Sequence, residues 1–401
     1  MGNPSGDTIP SDATARGCVV SRFHSPATWI EGEAIRQLDE VAARPGMLAV
    51  AAFPDLHPGK YGPVGMAALA DRLYPQLIGN DIGCGMSLFE LDLPLRKLRI
   101  DKAAGQLRKL EEIELNDPAG QLEALGMPGD WHAGALGTIG GGNHFCELQA
   151  VEDAGGGEAL DREHLHLLVH SGSRSLGASL FGDLISTQGS MPEGLELGTE
   201  PAVGYLLDHD AAVEWAGLNR LMIAERAAAL LRADLRIIAN VPHNLVRITD
   251  RGVVHYKGAA AVAEGQLAPV AGSRATLSHL VRAREGIANS LGGISHGAGR
   301  KYDRKAMHGR AGATRSEREA LAGNPWGGVA ICDDRNLLVE EAAGAYKDAL
   351  KVVADLESFD LVDPVATLRP LVTYKSALAD ARERERGKTR DRATVRRLGH
   401  D

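Results

Sequence analysis

Apolar residues recur at helical intervals from Glu33 to Ala43, where Ile35, Leu38 and Val41 share one face and Gly46 follows as a stop. The run Met47 to Phe53 is then apolar without interruption and predicts a buried strand, ending in the loop Pro54-Asp55-Leu56-His57-Pro58-Gly59. Met86 to Leu91 predicts a second strand, with residues 94–115 as a charged helix after it. Leu165 to His170 reads as a strand that delivers His170 into Ser171-Gly172-Ser173-Arg174. Val203 to Leu235 has few breakers and is rich in Ala, Leu and Arg, so one or two helices are expected there. Strands are expected over Ile237 to Val246 and Val253 to Tyr256, about the turn Asp250-Arg251-Gly252. A helix over Glu340 to Leu356 and a strand over Val365 to Tyr374 complete the pattern.

These elements mix without a regular βαβ alternation, and no repeat of about 20 to 50 residues is present. That excludes a solenoid and speaks against a simple doubly wound sheet. The expected class is α/β of the mixed α+β kind, built as one continuous domain. A flexible N-terminus is expected over 1–16, the main body over 17–376 and a charged, basic tail over 377–401.

Composition changes this picture in one respect. Glycine accounts for 48 of 401 residues, well above the usual share of roughly 7%, and it clusters beside histidines, where bare backbone can approach a ligand closely. A net charge of -9 argues against a globally basic nucleic-acid coat, although the last 22 residues carry eight Lys/Arg against five Asp/Glu. That tail reads either as a phosphate-attracting surface or as a solvated charged helix. Four cysteines without regular spacing do not form a disulfide framework. With no secretory leader pattern and no apolar run long enough to span a bilayer, a soluble cytoplasmic protein without a membrane link is expected.

The candidate chemistry sits in separated boxes. Asp81 and Cys84 lie in Asn80-Asp81-Ile82-Gly83-Cys84-Gly85-Met86, where a carboxylate and a thiolate could share a cation, or where a structural cysteine sits beside a turn aspartate. Gly140-Gly141-Gly142-Asn143-His144-Phe145-Cys146-Glu147 places an amide, an imidazole and a carboxylate behind three glycines, a loop suited to an anion. His170 and His243 each end an apolar stretch next to polar groups, as ligands or as hydrogen-bonded core residues do. Thiolate and imidazoles from four boxes in one chain together point to a transition-metal centre.

Other readings fit less well. Gly293-Ile294-Ser295-His296-Gly297 matches a hydrolase elbow literally, but such an elbow needs a helix after it and an acid and then a histidine downstream, whereas here Gly297 and Gly299 follow at once and only His308 and His400 lie beyond. Gly387-Lys388-Thr389 lacks the preceding Walker glycine, since position 382 is Arg382, and no GxGxxG follows a strand.

Taken in order, PDxHxG at 54–59, DxGCGM at 81–86, GTxGGGNHFxE at 137–147, HSGSR at 170–174, His243-Asn244, Lys257-Gly258-Ala259, SHGAGR at 295–300, AYKD at 345–348 and Lys375 resemble the RtcB family of GTP-dependent RNA ligases. The resemblance runs from about Pro54 to Lys375. It implies a single large domain whose mixed sheets form a central cleft flanked by helices. It also implies that His296 attacks the α-phosphate of GTP, that the guanylate passes to an RNA 3'-phosphate, and that a 5'-hydroxyl then displaces GMP.

Carried over residue by residue, the resemblance implies two Mn(II) ions held by Asp81, Cys84, His144, His170 and His243. Guanylate contacts would come from Asn143, Glu147, Asn244, Ser273, Ser278, Ala298, Gly299, Tyr346 and Lys375. Arg174 and Arg300 suit bidentate phosphate contacts. Donor softness alone would favour zinc for one sulfur and three imidazoles, whereas Asp81 and phosphate oxygens suit manganese. The implied partners are GTP and RNA carrying a 3'-phosphate or 2',3'-cyclic phosphate and a 5'-hydroxyl, in RNA repair or tRNA splicing.

The chain departs from the usual family pattern at Ala271-Gly272-Ser273-Arg274, Ser278-His279-Leu280-Val281, Tyr256 and Asp303-Arg304. These departures suggest a divergent branch, such as members coupled to a release-factor homologue, with a possible ribosome link and cleaved ribosomal or other structured RNA as target. The competing functions are a metal-dependent cyclic phosphodiesterase without ligation, and a non-catalytic RNA- or ribosome-binding factor.

Overall fold

The computed structural model describes residues 17–155 and 160–375, so the expected N-terminal segment and the charged tail lie outside the described residues. Two large sheets dominate a mixed α/β domain. The first runs in the order Val19–Arg22, Met47–His57, Val64–Ala70, Gly252–Lys257 and Asn244–Thr249. The second runs Leu267–Val270, Ser278–Ala283, Val362–Tyr374, Phe145–Asp153, His164–Ser171, Gly85–Pro94 and Leu235–Pro242, with Val329–Ile331 parallel to Val362–Tyr374. Most neighbours are antiparallel; Val19–Arg22 beside Met47–His57 is parallel.

Apart from the exposed Leu48 and the half-buried Ala49, the unbroken apolar run at 47–53 is explained by burial on both faces. Val50, Ala52 and Leu56 pack with Ala34, Leu38 and Val41 of the helix Gly32–Ala42, while Ala51 and Phe53 join the main core between the sheets. The strand does not stop at Phe53 as the turn-forming residues suggest, but continues to His57 through a register break between Ala52 and His57. Asp55 sits inside that irregular stretch, fully buried.

Residues 237–246 hold an instructive difference from the single expected strand. Leu235–Pro242 belongs to the second sheet and Asn244–Thr249 to the first. His243 is the one residue between them, so the chain turns a corner there and places its imidazole where the sheets meet. The expected long helix over 203–235 is one helix, Glu200–Leu231, closed by Arg232 in the left-handed region. The charged segment 94–115 keeps only Ile100–Leu107 as α-helix, because Leu98 and Arg99 are extended and the chain turns after Arg108. The expected helix over 340–356 begins only at Ala349, capped by Asp348, and residues 341–348 form a loop on the cleft that holds one 3-10 turn at Ala343–Ala345, after the short helix Arg335–Glu340. The helix Arg174–Gln188 follows directly on the His170 box and packs Leu176, Leu180, Leu184 and Ile185 into one cluster.

Among the described residues, no helix is long and apolar enough to cross a membrane.

Candidate active site

Cys84 and His170 reach the site from adjacent strands, since Gly85 pairs with Ser171 and with Pro242. Behind them lies Arg220 of the long helix, buried, donating from Nη1 to the carbonyls of Gly83 at 2.8 Å and Ser171 at 3.0 Å. Its Nη2 reaches Asn240 at 2.7 Å, so a buried cation with satisfied donors ties together the backbones that carry the site. Gly172 is required by crowding: a Cβ there would lie 2.1 Å from Asp81 Oδ1.

The sulfur of Cys84 lies 3.3 Å from Nε2 of His144 and 3.3 Å from Nε2 of His170. His170 Nε2 is in turn 3.3 Å from His243 Nε2, and His144 Nε2 is 3.1 Å from Asp81 Oδ2. The structure thus brings the five expected metal-binding residues together, with Cys84, His144 and His170 as the tightest convergent set. The far nitrogens are engaged by backbone carbonyls, His144 Nδ1 with Ile139 at 3.1 Å and His170 Nδ1 with Asn143 at 3.2 Å. These contacts fix the proton on Nδ1 and turn the Nε2 lone pairs inward, which is how imidazole is prepared for a cation.

Burial, reinforced by neighbouring imidazoles, pushes the His170 and His243 pKa values well below the ordinary histidine range. Burial and the Asp81 carboxylate push the Cys84 thiol well above its ordinary range. A thiolate at this position therefore calls for a cation as counter-charge. The donor set fits a transition metal.

His296 borders this cluster, its ring centroid 4.5 Å from that of His243. Its Nδ1 is held by the Gly258 carbonyl at 2.6 Å and by Asp55 Oδ2 at 2.8 Å. Asp55 also accepts from the Ser295 hydroxyl at 2.9 Å and the His296 amide at 3.3 Å, so one buried carboxylate fixes both backbone and ring. Gly299 makes the approach possible, with φ +71° and a position where a Cβ would lie 2.3 Å from the Asp55 carbonyl oxygen. Both contacts fall on Nδ1, and neither engages Nε2 of His296.

A pocket of about 210 Å³ opens beside His296, between the metal-type cluster and the 341–348 loop. Of the expected guanylate contacts, Asn143, Glu147, Ser273, Ala298, Gly299, Tyr346 and Lys375 line it. Two do not. Asn244 instead donates to the carbonyls of Ile78 at 3.0 Å and Asp81 at 2.6 Å, bracing the loop that carries Asp81 and Cys84. Ser278 lies behind the wall, its hydroxyl accepting from the Gly272 amide at 3.1 Å. Arg174 stands away from the pocket lining, with Nε 3.4 Å from the Thr138 hydroxyl.

Glu147 is buried and accepts from Gln149 at 2.7 Å and Thr373 at 2.5 Å, yet burial dominates and raises its pKa to about 7. Sequence reasoning missed Asp55, Arg220 and Glu341. Asp55 was visible only as part of a loop motif; Arg220 stands in a helix and Glu341 in a stretch whose pattern predicts one, where a charged residue ordinarily faces water.

The tRNA-splicing ligase RtcB family model matches residues 37–129 and 129–376. RNA-splicing ligase RtcB2 of Escherichia coli is 40% identical over 362 residues, covering 87% of this chain and 93% of that protein. RNA-splicing ligase RtcB1 of Escherichia coli is 28% identical, covering 86% and 95%, and RNA-splicing ligase RtcB homolog 2 of Entamoeba dispar is 28% identical, covering 85% and 83%. With a matched family model over most of its length and these relatives aligned nearly end to end, this chain belongs to the RtcB family and is an RNA ligase.

Proposed function

We propose that this ligase joins an RNA 3'-phosphate to a 5'-hydroxyl with GTP and Mn(II), through a guanylylated His296. The observation that carries the reading is the double anchoring of His296 Nδ1 by Asp55 and Gly258, which commits Nε2 to the pocket side. An imidazole held in that tautomer keeps its nucleophilic lone pair on Nε2.

Nε2 attacks the α-phosphorus of GTP; the P–N bond forms as the bond to pyrophosphate breaks, and pyrophosphate leaves. An RNA 3'-phosphate oxygen then attacks the guanylyl phosphorus and frees His296. The 5'-hydroxyl of the second strand attacks the activated 3'-phosphate, GMP leaves, and a phosphodiester remains. A 2',3'-cyclic phosphate is opened by water before this sequence. Mn(II) held by Asp81, Cys84, His144, His170 and His243 would supply positive charge against the phosphate oxygens of these in-line displacements. Asn143, Glu147, Ser273, Ala298, Gly299, Tyr346 and Lys375 surround the guanylate, while Asn244 and Ser278 support it from behind.

Of the departures from the family pattern, Arg274 and Arg304 line the pocket, which supports a dedicated target such as cleaved ribosomal or other structured RNA in the cytoplasm, with a release-factor homologue as a candidate partner. Incubation with α-labelled GTP and Mn(II) is expected to give an acid-labile protein adduct that His296→Ala abolishes. A stable adduct in the variant would remove His296 from this role, and RNA-end processing without GTP consumption would favour the phosphodiesterase reading. Metal analysis of the purified enzyme decides between manganese and zinc.

A further inference from the structure

The wall of the pocket opposite the metal-type cluster is organised by a residue with no assigned role. Glu341 is buried and lies just past the short helix Arg335–Glu340. Its Oε1 accepts from Arg300 Nη1 at 3.0 Å and from Arg304 Nε at 3.4 Å. Its Oε2 accepts from the Tyr346 hydroxyl and lies 3.7 Å from Lys375 Nζ. All five side chains line the same pocket as His296. They come from separate stretches of chain, and the carboxylate is the group they share.

The backbone of the same residue is fixed too. Arg274, one of the departures from the family pattern, is buried and donates from Nη1 to the Glu341 carbonyl at 2.6 Å, from Nη2 to Leu338 at 2.7 Å and from Nε to Leu321 at 3.0 Å. These carbonyls lie at or near the ends of two short helices, where backbone acceptors lack internal partners. Arg300 adds a bond to the Glu340 carbonyl at 2.8 Å. Glu341 is therefore rigid, and it gathers three cations around a single negative charge, leaving a surplus of positive charge facing the pocket. Although burial would raise its pKa, Lys375, Arg300 and Arg304 hold it at about 2, so the carboxylate is ionised at neutral pH.

We propose that Glu341, buttressed by Arg274, is a positioning residue that assembles Arg300, Arg304, Tyr346 and Lys375 into one preformed wall against which the guanylate is seated, and so sets the affinity for GTP. This rests on the GTP-dependent reading above. The wall acts through geometry: without the shared carboxylate, two guanidiniums and an ammonium at close quarters repel one another and lose their common hydrogen-bond acceptor.

Glu341→Gln separates positioning from charge. The substitution makes the pocket one unit more positive, so charge alone would tighten GTP binding, whereas lost positioning weakens it. The expected result is a rise of about tenfold or more in the KM for GTP in the adduct assay, a maximal rate within about threefold of wild type, and partial recovery in Glu341→Asp. An unchanged or lower KM overturns the proposal, as does a fall in melting temperature without any change in KM.

A second arm does not depend on guanylylation. GMP binding is measured by calorimetry in His296→Ala and in His296→Ala combined with Glu341→Gln, with weaker binding expected in the double variant. Equal or tighter binding there, or no binding to His296→Ala at all, rejects the wall. Loss of the GTP adduct from the otherwise intact enzyme, with this difference retained, rejects the ligation chemistry and leaves the wall standing.

Discussion

The two ends of the pocket handle charge in opposite ways. At the Cys84 end, burial drives the sulfur and the imidazoles of His170 and His243 toward their neutral forms, and lone pairs face one another across 3.3 Å. At the Glu341 end, full charges already meet inside the protein, three cations about one carboxylate, with Arg300 only 3.0 Å from it. On the proposed reading the first end is completed by an ion from outside, whereas the second is assembled on folding. His296 stands between them, bonded to Asp55 and belonging to neither group. A site built this way separates the recruitment of positive charge from the placement of a nucleotide, and the two can be perturbed one at a time.

The largest expected effect lies at the first end. Cys84→Ala removes the sulfur on which His144 and His170 converge, and should cut adduct formation by on the order of a thousandfold or more. Metal analysis should show lost occupancy, while GMP binding at the Glu341 end should persist. Loss of both would show that the ends are one unit.

Between the ends, Asp55→Asn should slow guanylylation by on the order of a hundredfold, because an amide can present a donor where Nδ1 needs an acceptor. Gly258 still accepts from Nδ1, at 2.6 Å, which limits the loss. Single-turnover adduct kinetics with an unchanged metal content would confirm that Asp55 serves His296 alone; a matching loss of metal would merge it with the first end.

The smallest effect concerns Glu147, on the pocket floor. Its folded pKa of about 7 lies above the ordinary carboxylate value of 4.5, so the folded protein holds a proton that the unfolded chain has released. Stability from this group is present below 4.5 and is lost as pH rises through about 7. The loss is at most about 3 kcal/mol by linkage. Glu147→Gln should melt with a flatter pH profile between 5 and 8; parallel profiles for variant and wild type would contradict a neutral carboxyl.

Much of this site could be read from the chain because its ligands sit in glycine-framed boxes that only close backbone approach explains. Cys84, His144, His170, His243 and His296 converge as those boxes suggest. Less was legible where one residue does two jobs. Ile237 to Val246 looks like a single strand because apolar character continues through the corner at His243, and only the second sheet reveals the bend. Asp55 looks like a loop residue because Pro54 and Pro58 flank it, although the strand carries through to His57. Glu341 looks helical and solvent-facing, since local pattern holds no record of cations that arrive from residues 300, 304 and 375.

The strand Val362–Tyr374 lies inside the second sheet, between Ser278–Ala283 and Phe145–Asp153, and Lys375 follows it directly. During synthesis the last of these partners therefore leaves the ribosome long after the first. A nascent chain stalled before that strand would carry the Cys84 sulfur and its imidazoles but lack Thr373 beside Glu147 and the ammonium beside Glu341. Strand-sealing competence thus arrives late and all at once, so truncated translation products are not expected to act on RNA ends.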